Sequence, residues 1–519
     1  MALGILLSRF TGLIRQVMMA RYLGTSIAAD AFNAAFRIPN LLQNLFGEGV
    51  LSASFIPEYA GLLSRGEEEE ATHLAGAVAG MLALVTSLIV LAGVLGAPYL
   101  VALIANGFTG EKRELTIRLT RILFPGAGLL VFSAWCLGVL NSHRKFFMSY
   151  AAPVLWNVAM VAALIGFHNG RSQVQLAVIL AVASVVGSAM QLTVQLPLVI
   201  KLASGVRFRL TAASQSVRNV FSNFLPAFVG RGVVQISAYV DAWLASYLGN
   251  GAVSSFTYAQ TIYVLPVSLF GMAISAAELP AMSSAVGTDA EIAAHLRTRL
   301  NAGLERIAFF IVPSAIALFA LGDLIVYLLL QSGVWHQRDT IWVWQILAGS
   351  AIGLLASTMG RLYSSTFYAL RDTRTPLKFA AIRVLLTTVL GYIAALILPG
   401  ALGIDPKLGA AGLTASAGFA GWIEFLLLRH ALRKRIGDTG FPKVMAAKLW
   451  VAAILAASVP WTYKLLGHNV QPKLVSLSLL LIYGALYLLL TTVQGIPEAR
   501  ILTNRIVRLI SRRRKPAVP

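Results

Sequence analysis

Three ionisable side chains, Asp30, Arg37 and Glu48, stand in the stretch DAFNAAFRIPNLLQNLFGEGVLSASFIP (residues 30–57), which is otherwise apolar and of membrane-crossing length. An ionisable group at mid-bilayer costs about 2.5–3.5 kcal/mol on insertion scales, and more by other estimates. A chain that keeps several must turn them toward a hydrated cavity or toward one another. Further charges recur inside apolar runs: Arg9 and Arg15 before this stretch, then Arg231, Asp241, Glu278, Arg361 and Arg383. Taken singly, each is equally well read as a helix-end snorkeller or a structural ion pair. Taken together the arginines exceed what pairing alone needs, and a guanidinium fork suits phosphate. The chemistry indicated is binding of an anionic, phosphate-bearing molecule within a membrane. Asp30 and Glu48 then orient the arginines, or mark a gate that changes partners between states. Pro39, Gly47, Gly49, Pro266 and Gly271 offer places where helices can bend.

Bond-making chemistry finds no support. The seven histidines are scattered, and none belongs to an HExxH pattern. Neither a GxxxxGK[ST] phosphate loop nor a GxSxG elbow occurs. The single cysteine, Cys136, excludes an intramolecular disulfide and has no metal-ligand neighbour in sequence. No cofactor or metal is expected. The driving force is expected to be the membrane potential or a monovalent cation.

The elements that must position these residues follow from composition. Of 519 residues, 57% are hydrophobic and only 12% charged, with mean hydropathy +0.75. Soluble chains carry about 25% charged residues, so an all-α polytopic membrane protein is the comfortable class. Hydropathy predicts fourteen spans: 2–22, 27–62, 74–105, 115–141, 150–168, 174–201, 217–248, 252–284, 301–331, 340–369, 377–398, 408–432, 445–466 and 473–494. The first run is interrupted by Arg9 and Arg15 and is not followed by a cleavage site, so it is not read as a signal peptide. The net charge of +21 resides largely in short loops, which argues for topology-setting charge and against nucleic acid. Alternate loops divide into a cation-rich set (among them His143–Lys145, Arg371–Lys378 and Arg429–Arg435) and a sparse set (among them Arg21, Lys112 and Lys407). The rich set is expected in the cytoplasm, with both termini. The tail Arg512–Lys515 agrees, and reads as an orientation signal that also touches anionic membrane lipid.

The chain also echoes itself. Phe32, Ala35, Ile38, Leu45, Phe46 and Gly47 recur at one constant offset as Phe256, Ala259, Ile262, Leu269, Phe270 and Gly271. A second echo aligns GVLNSHRKF (138–146) with YALRDTRTP (368–376), pairing Arg144 with Arg374. Two six-helix lobes are expected, 1–204 and 205–436, followed by two extra helices and a basic tail over 437–519. A duplicated bundle with charges inside is a transporter pattern.

At these residues a family resemblance enters. SRFTGLIRQVMMARYLGTSIAADAFNAAFRIPNLLQNLFGEGVLSASFIPEY resembles the opening helices of the MurJ/MviN family of lipid II flippases, which shares a superfamily with the MATE exporters. ILFPGAGLLVFSAWCLGVLNSHRKFF, YAQTIYVLPVSLFGMAISAAELP and FYALRDTRTPLK are similar to later parts of the same family. The resemblance implies two lobes around a cationic cavity and a final helix pair that forms a groove for a lipid tail. It implies export of undecaprenyl-pyrophosphate-linked disaccharide-pentapeptide across a bacterial inner membrane by alternating access. By matched position, it implies substrate-binding roles for Ser8, Arg9, Arg15, Asp30, Asn40 and Glu48. The implied partners are lipid II or a related polyprenyl-pyrophosphate-linked saccharide, membrane lipids and the cell-wall synthesis machinery, with the flippase itself a monomer.

The sequence departs from the family pattern at Gln16, where an acid is usual, and at Gln43 and Thr261, where arginines are usual. Arg231, flanked by glycines, is expected to restore some of the lost positive potential. Asp241 resembles a sodium-site acid of some members, and Arg383 is expected to neutralise it. A flippase for another lipid-linked oligosaccharide and a cation-coupled small-molecule exporter stand as alternatives. A membrane enzyme would need carboxylate or histidine clusters in long loops, and these loops are short.

Overall fold

In a computed structural model that describes residues 2–45, 50–208, 214–467 and 472–513, each of the fourteen apolar stretches folds as helix. In chain order the helices are α1 (Ala2–Leu23), α2 (Ile27–Asn44), α3 (Val50–Ser64), α4 (Glu68–Leu95), α5 (Ala97–Ile104), α6 (Gly110–Ser142), α7 (Phe146–Phe167), α8 (Gln173–Leu202) and α9 (Gln215–Ser246). There follow α10 (Ala252–Pro266), α11 (Ala273–Ser283), α12 (Asp289–Ala320), α13 (Gly322–Leu330), α14 (Gln337–Ala369), α15 (Arg374–Tyr392) and α16 (Leu398–Leu402). The chain ends with α17 (Gly409–Ile436), α18 (Lys443–Leu465), α19 (Lys473–Val493) and α20 (Pro497–Arg513). Among the described residues, eleven helical stretches are long and apolar enough to cross a membrane. The three remaining predicted spans, α1, α2 with α3, and α9, are the ones that carry Arg9, Arg15, Asp30, Arg37 and Asp241.

Local signals set the boundaries. Ser26 caps α2 by accepting from the Ala29 N–H at 3.2 Å. Reciprocal side-chain and backbone bonds open α8 (Ser172 with Gln175) and α12 (Thr288 with Glu291). Glu68, Glu69 and Glu70 occupy the first turn of α4, where the helix dipole favours anions. Several predicted spans are segmented. The third divides at Gly96 and the ninth at Leu321, while π-helical turns interrupt the eighth (Val267–Met272) and the eleventh (Ile393–Ile397).

Arg144 and Arg371 are the non-glycine residues with positive φ among the described residues, 59° and 58°. They end α6 and α14 by the same left-handed turn: Lys145 N–H donates to Leu140 and Asp372 N–H donates to Phe367, at 2.8 and 2.9 Å. Arg144 is therefore the structural counterpart of Arg371. The sequence echo paired it with Arg374, three residues later. The repeated turn, not the flanking side chains, sets the register.

By contact the chain groups into two compact units, Met1–Thr257 with Ser332–His336, and Tyr258–Gln331 with Gln337–Pro519. This division reports proximity, whereas the lobes 1–204 and 205–436 are read from duplication. In the first unit α6 packs on α2, α4 and α8, and α7 joins α1 to α8. Phe55, Tyr59, Leu74, Val78, Trp135, Cys136 and Val139 form part of its core.

In the second unit α14 packs on α12 and α17. A Cβ on Gly353 of α14 would collide with the backbone of Gly418 on α17, so these helices meet backbone to backbone. Pro313 in α12 lacks the N–H that would satisfy the Phe309 carbonyl. Tyr487 of α19 donates its hydroxyl to that carbonyl at 2.7 Å, and Tyr483 donates to the Pro313 carbonyl at 2.7 Å. Helix α19 thereby completes a backbone gap in the bundle.

Candidate functional site

The most elaborate polar arrangement in the first unit surrounds Asp30, whose side chain is wholly buried one turn into α2. One carboxylate oxygen accepts from Lys112 Nζ at 2.6 Å and from the Gly251 N–H at 2.7 Å. The other accepts from the Ser254 N–H and the Ser254 hydroxyl, both at 2.8 Å. Gly251 precedes α10 and Ser254 lies in its first turn, so Asp30 caps another helix through space and meets its positive end. Lys112 also reaches the Gly249 carbonyl at 3.3 Å and lies 3.9 Å from the centroid of the Phe108 ring. One carboxylate thus ties together α2, α6 and the start of α10, at the sparse-loop end.

Arg15 has different surroundings. Its guanidinium stands 4.8 Å from the centroid of the Trp156 ring and 5.7 Å from that of Phe36, with Met160 Sδ at 4.0 Å from Nη1. It makes no ion pair among the described residues. Ser8 is half-buried and Arg9 is exposed on the same helix. Along α2, Arg37 lies within electrostatic reach of Asp241 on α9, and Tyr239 donates its hydroxyl to the Arg37 carbonyl at 3.0 Å. Pro39 is buried and Asn40 exposed. Gly47, Glu48 and Gly49 lie outside the described residues, as does the side chain of Arg231 within α9.

In the second unit, Arg383 of α15 pairs with Glu424 of α17 at 3.0 Å. The expected partner of Arg383 was Asp241; within its own unit the acid that stands against it is Glu424. Helix α15 packs along α17, which brings an acid to Arg383 that the sequence reading had not singled out. Glu278, buried on α11, accepts from Arg306 at 3.0 Å and has Arg299 at 3.7 Å. Pro266 ends α10, and Gly271 lies in the π-turn that follows. A Cβ there would overlap the Thr358 side chain, so Gly271 is also a close-packing residue.

The rich-loop end of the first unit holds a cavity of about 940 Å³, lined by Tyr59, His143, Arg207 and the acids Glu67–Glu70 among others. That lining repels a phosphate, so the cavity is not an anion site. Tyr59 and His143 meet there, hydroxyl to Nε2, at 3.1 Å. Burial pushes the His143 imidazole below its ordinary range, although the nearby Glu68 charge opposes the shift.

Sequence reasoning missed Lys112, Ser254, Glu424 and Trp156. Glu424 could have been found, as an acid inside the predicted span 408–432. Lys112 gave no such signal, because a loop cation looks the same whether exposed or folded back onto an acid.

A multi-pass helical bundle with arginines on its spanning helices defines an integral membrane transport protein. Comparison with known proteins makes this specific. Residues 19–486 match the family model described as lipid II flippase MurJ, and the chain belongs to that family. It is 32% identical over 466 residues to a probable lipid II flippase MurJ of Rhizobium meliloti, covering 88% of this chain and 84% of that protein. It is 31% identical to the lipid II flippase MurJ of Burkholderia cenocepacia, covering 95% and 96%. Among solved structures it resembles a lipid II flippase MurJ in an inward closed conformation, with TM-score 0.79 and 23% identity over 95% of this chain and 98% of that one. It also resembles an inward-facing MATE family multidrug resistance transporter of the MOP superfamily, with TM-score 0.63 and 17% identity over 82% and 95%. These two structural likenesses speak for the fold.

Proposed function

We propose that this chain translocates lipid II, the undecaprenyl-pyrophosphate-linked peptidoglycan precursor, from the inner to the outer leaflet of a bacterial inner membrane, with both its termini in the cytoplasm. Family membership supports the reading. The structural observation that carries it is Arg15, a spanning-helix guanidinium held by aromatic rings and matched to no carboxylate among the described residues. The planar Trp156 and Phe36 faces stabilise the cation without neutralising it, so its N–H donors remain suited to a pyrophosphate. Arg9 adds a second cation on the same helix, and Ser8 and Asn40 supply uncharged polar groups.

No bond is made or broken in this cycle. The head group enters against the arginines while the prenyl chain stays in lipid. Asp30 acts as a latch: while it holds Lys112 and the start of α10, the sparse-loop end of the first unit stays tied. Release at that end requires Lys112, Gly251 and Ser254 to leave the carboxylate together. Pro266 and the π-turn containing Gly271 give α10 and α11 a place to bend as this happens. An inside-negative potential biases movement of uncompensated positive charge by about 2.3 kcal/mol per charge per 100 mV. No chemical cofactor is required, and the chain acts as a monomer alongside the cell-wall synthesis machinery.

The test is replacement of the resident flippase in a bacterium depleted of it. The expected result is growth with normal shape and lipid II exposed on the outer leaflet for wild type, lost with Arg15→Ala. Growth without outer-leaflet lipid II, or rescue by a different lipid-linked saccharide only, overturns the assignment.

A further inference from the structure

Helix α19 ends in a reversal of the chain. The Gly495 N–H donates to the Thr492 carbonyl and the Ile496 N–H to the Thr491 carbonyl, both at 3.1 Å, with Gly495 at a φ of 78°. The Thr492 and Thr503 hydroxyls then meet at 3.2 Å. A continuous helix would hold those two residues about 16 Å apart along its axis, so α20 folds back on the end of α19. Helix α20 packs on α19 and α12. Glu498, in its first turn, thereby comes within electrostatic reach of Glu305 on α12 and of Tyr487 on α19.

This corner gathers acceptors without donors. Gln494 Oε1 and Glu498 Oε2 are shut off from solvent and have no hydrogen-bond partner. Among the described residues, neither Glu305 nor Glu498 forms an ion pair. The cations close by in the chain are turned elsewhere. Lys448 Nζ donates to the Gln494 carbonyl at 3.0 Å, and Arg306, next to Glu305, is held by Glu278. Arg500 is exposed and pairs with no acid among the described residues. Like charges brought together at a half-buried place disfavour each other's ionised form. A buried amide oxygen without a donor adds its own cost. The turn at Gly495 thus assembles oxygen atoms that call for a positive charge.

We propose that Glu305, Gln494 and Glu498 form a site for a hard divalent cation of the magnesium or calcium kind, which clamps α20 and the end of α19 to α12. Two carboxylates match the double charge, an amide carbonyl is an oxygen ligand of the same class, and either ion completes its shell with water. Phe309 lies one turn beyond Glu305 on α12, and its carbonyl accepts from Tyr487. The cation therefore fixes α19 beside the backbone gap that Pro313 opens. It is a structural ion with no part in a translocation step, so the site stands or falls independently of the substrate. The sequence gave no expectation of a metal because motifs are contiguous, whereas these ligands come from α12, the end of α19 and α20.

The experiment follows thermal unfolding of purified full-length protein in non-ionic detergent, first in chelator, then across titrations of magnesium chloride and calcium chloride, with choline chloride holding ionic strength constant. The expected result for wild type is a saturable rise in melting temperature with at least one of the two ions. Half-saturation should move at least tenfold higher in Glu305→Gln and in Glu498→Gln, and by less in Gln494→Ala. Asp438→Asn, at an exposed acid that pairs with Arg433, should leave the titration unchanged. In chelator the two glutamine variants should melt at or above wild type, because a like-charge contact is gone, and at saturating cation the order should reverse. That crossing separates loss of a site from damage to the fold. The site is overturned by a wild type with no saturable response, by an equal response to sodium chloride, or by a response that survives in both glutamine variants. A melting temperature that rises with acid instead, in a way both variants abolish, assigns the two carboxylates to a shared proton and overturns the cation as well.

Discussion

Replacing Lys112 by Met removes the only side-chain cation among the described residues that Asp30 touches, while keeping an unbranched chain against Phe108. At 2.6 Å and an effective dielectric of 20, the Coulomb attraction is about 6 kcal/mol before desolvation is counted. Breaking one side of a buried pair typically costs about 3–5 kcal/mol, because the remaining charge loses its compensation. Here the remaining carboxylate keeps the Gly251 and Ser254 donors and the positive end of α10, which places the expected cost near the lower bound, about 3 kcal/mol. For a unit of this size about 2 °C accompanies each kcal/mol, so the apparent melting temperature should fall by roughly 6 °C.

Asp30→Asn should also destabilise, since it leaves Lys112 buried without its anion. The double variant Asp30→Asn with Lys112→Met removes both charges and should recover much of the loss. The assay is a thermal unfolding cycle on the four proteins in detergent, read with labelling of a cysteine introduced at the buried Ser255 of α10. Labelling should accelerate in either single variant and slow again in the double. Strictly additive melting shifts, or labelling that ignores Lys112, refute the latch.

Tyr487→Phe should cost about 1–2 kcal/mol by orphaning the Phe309 carbonyl that Pro313 cannot satisfy; an unchanged melting temperature refutes that account of α19. Gly353→Leu should prevent α14 and α17 from meeting and abolish the folded protein, while Gly360→Ala, whose added carbon meets only a Leu428 methyl at 3.8 Å, should be tolerated; size-exclusion recovery decides between them. His143, whose folded-state affinity for protons is depressed by burial, should make wild type less stable as pH falls below its ordinary value of 6.5, because the unfolded chain then binds the extra proton. His143→Gln should flatten that slope in melting curves taken from pH 7.5 to 5, and a slope that survives the substitution refutes the assignment.

Legibility in the sequence followed the strength of each local signal. Long apolar runs announced the helices, and the predicted span 473–494 matches α19 almost residue for residue. Hydropathy has no means of showing where an apolar run changes helical pitch, so the π-turns at Val267–Met272 and Ile393–Ile397 were invisible. Helix α20 was missed because its apolar residues alternate with arginines and its mean hydropathy is low. At the candidate site, Arg15 and Asp30 stood out because charge in an apolar run is conspicuous. What each one does was hidden. Trp156, which makes a cation of Arg15 tolerable, belongs to another helix and looks like any core aromatic. Lys112 was read as topology-setting charge, and its burial against Asp30 depends on how α6 begins beside α2.

The two kinds of charge have different physical consequences, and this division bears on how transport is driven. Asp30, Glu278, Asp323 and Glu424 each hold a cation, so moving any of them means breaking a contact whose loss is costly. Such pairs make conformations discrete. Among the described residues Arg15 and Arg361 pair with no carboxylate, so neither has such a contact there to break before it accepts an anion. An empty site of this kind carries net positive charge, and a pyrophosphate cancels or reverses it. The loaded and empty proteins therefore respond with different sign or size to an inside-negative potential, worth about 2.3 kcal/mol per charge per 100 mV. A guest that neutralises the arginines removes the force that draws them inward, and the departure of the guest restores it. On this argument the potential acts on the return of the empty protein more than on the loaded step. Dissipating the potential should consequently slow repeated turnover in vesicles while leaving a single round of substrate binding intact, and equal loss of both would place the voltage-sensitive step at binding instead.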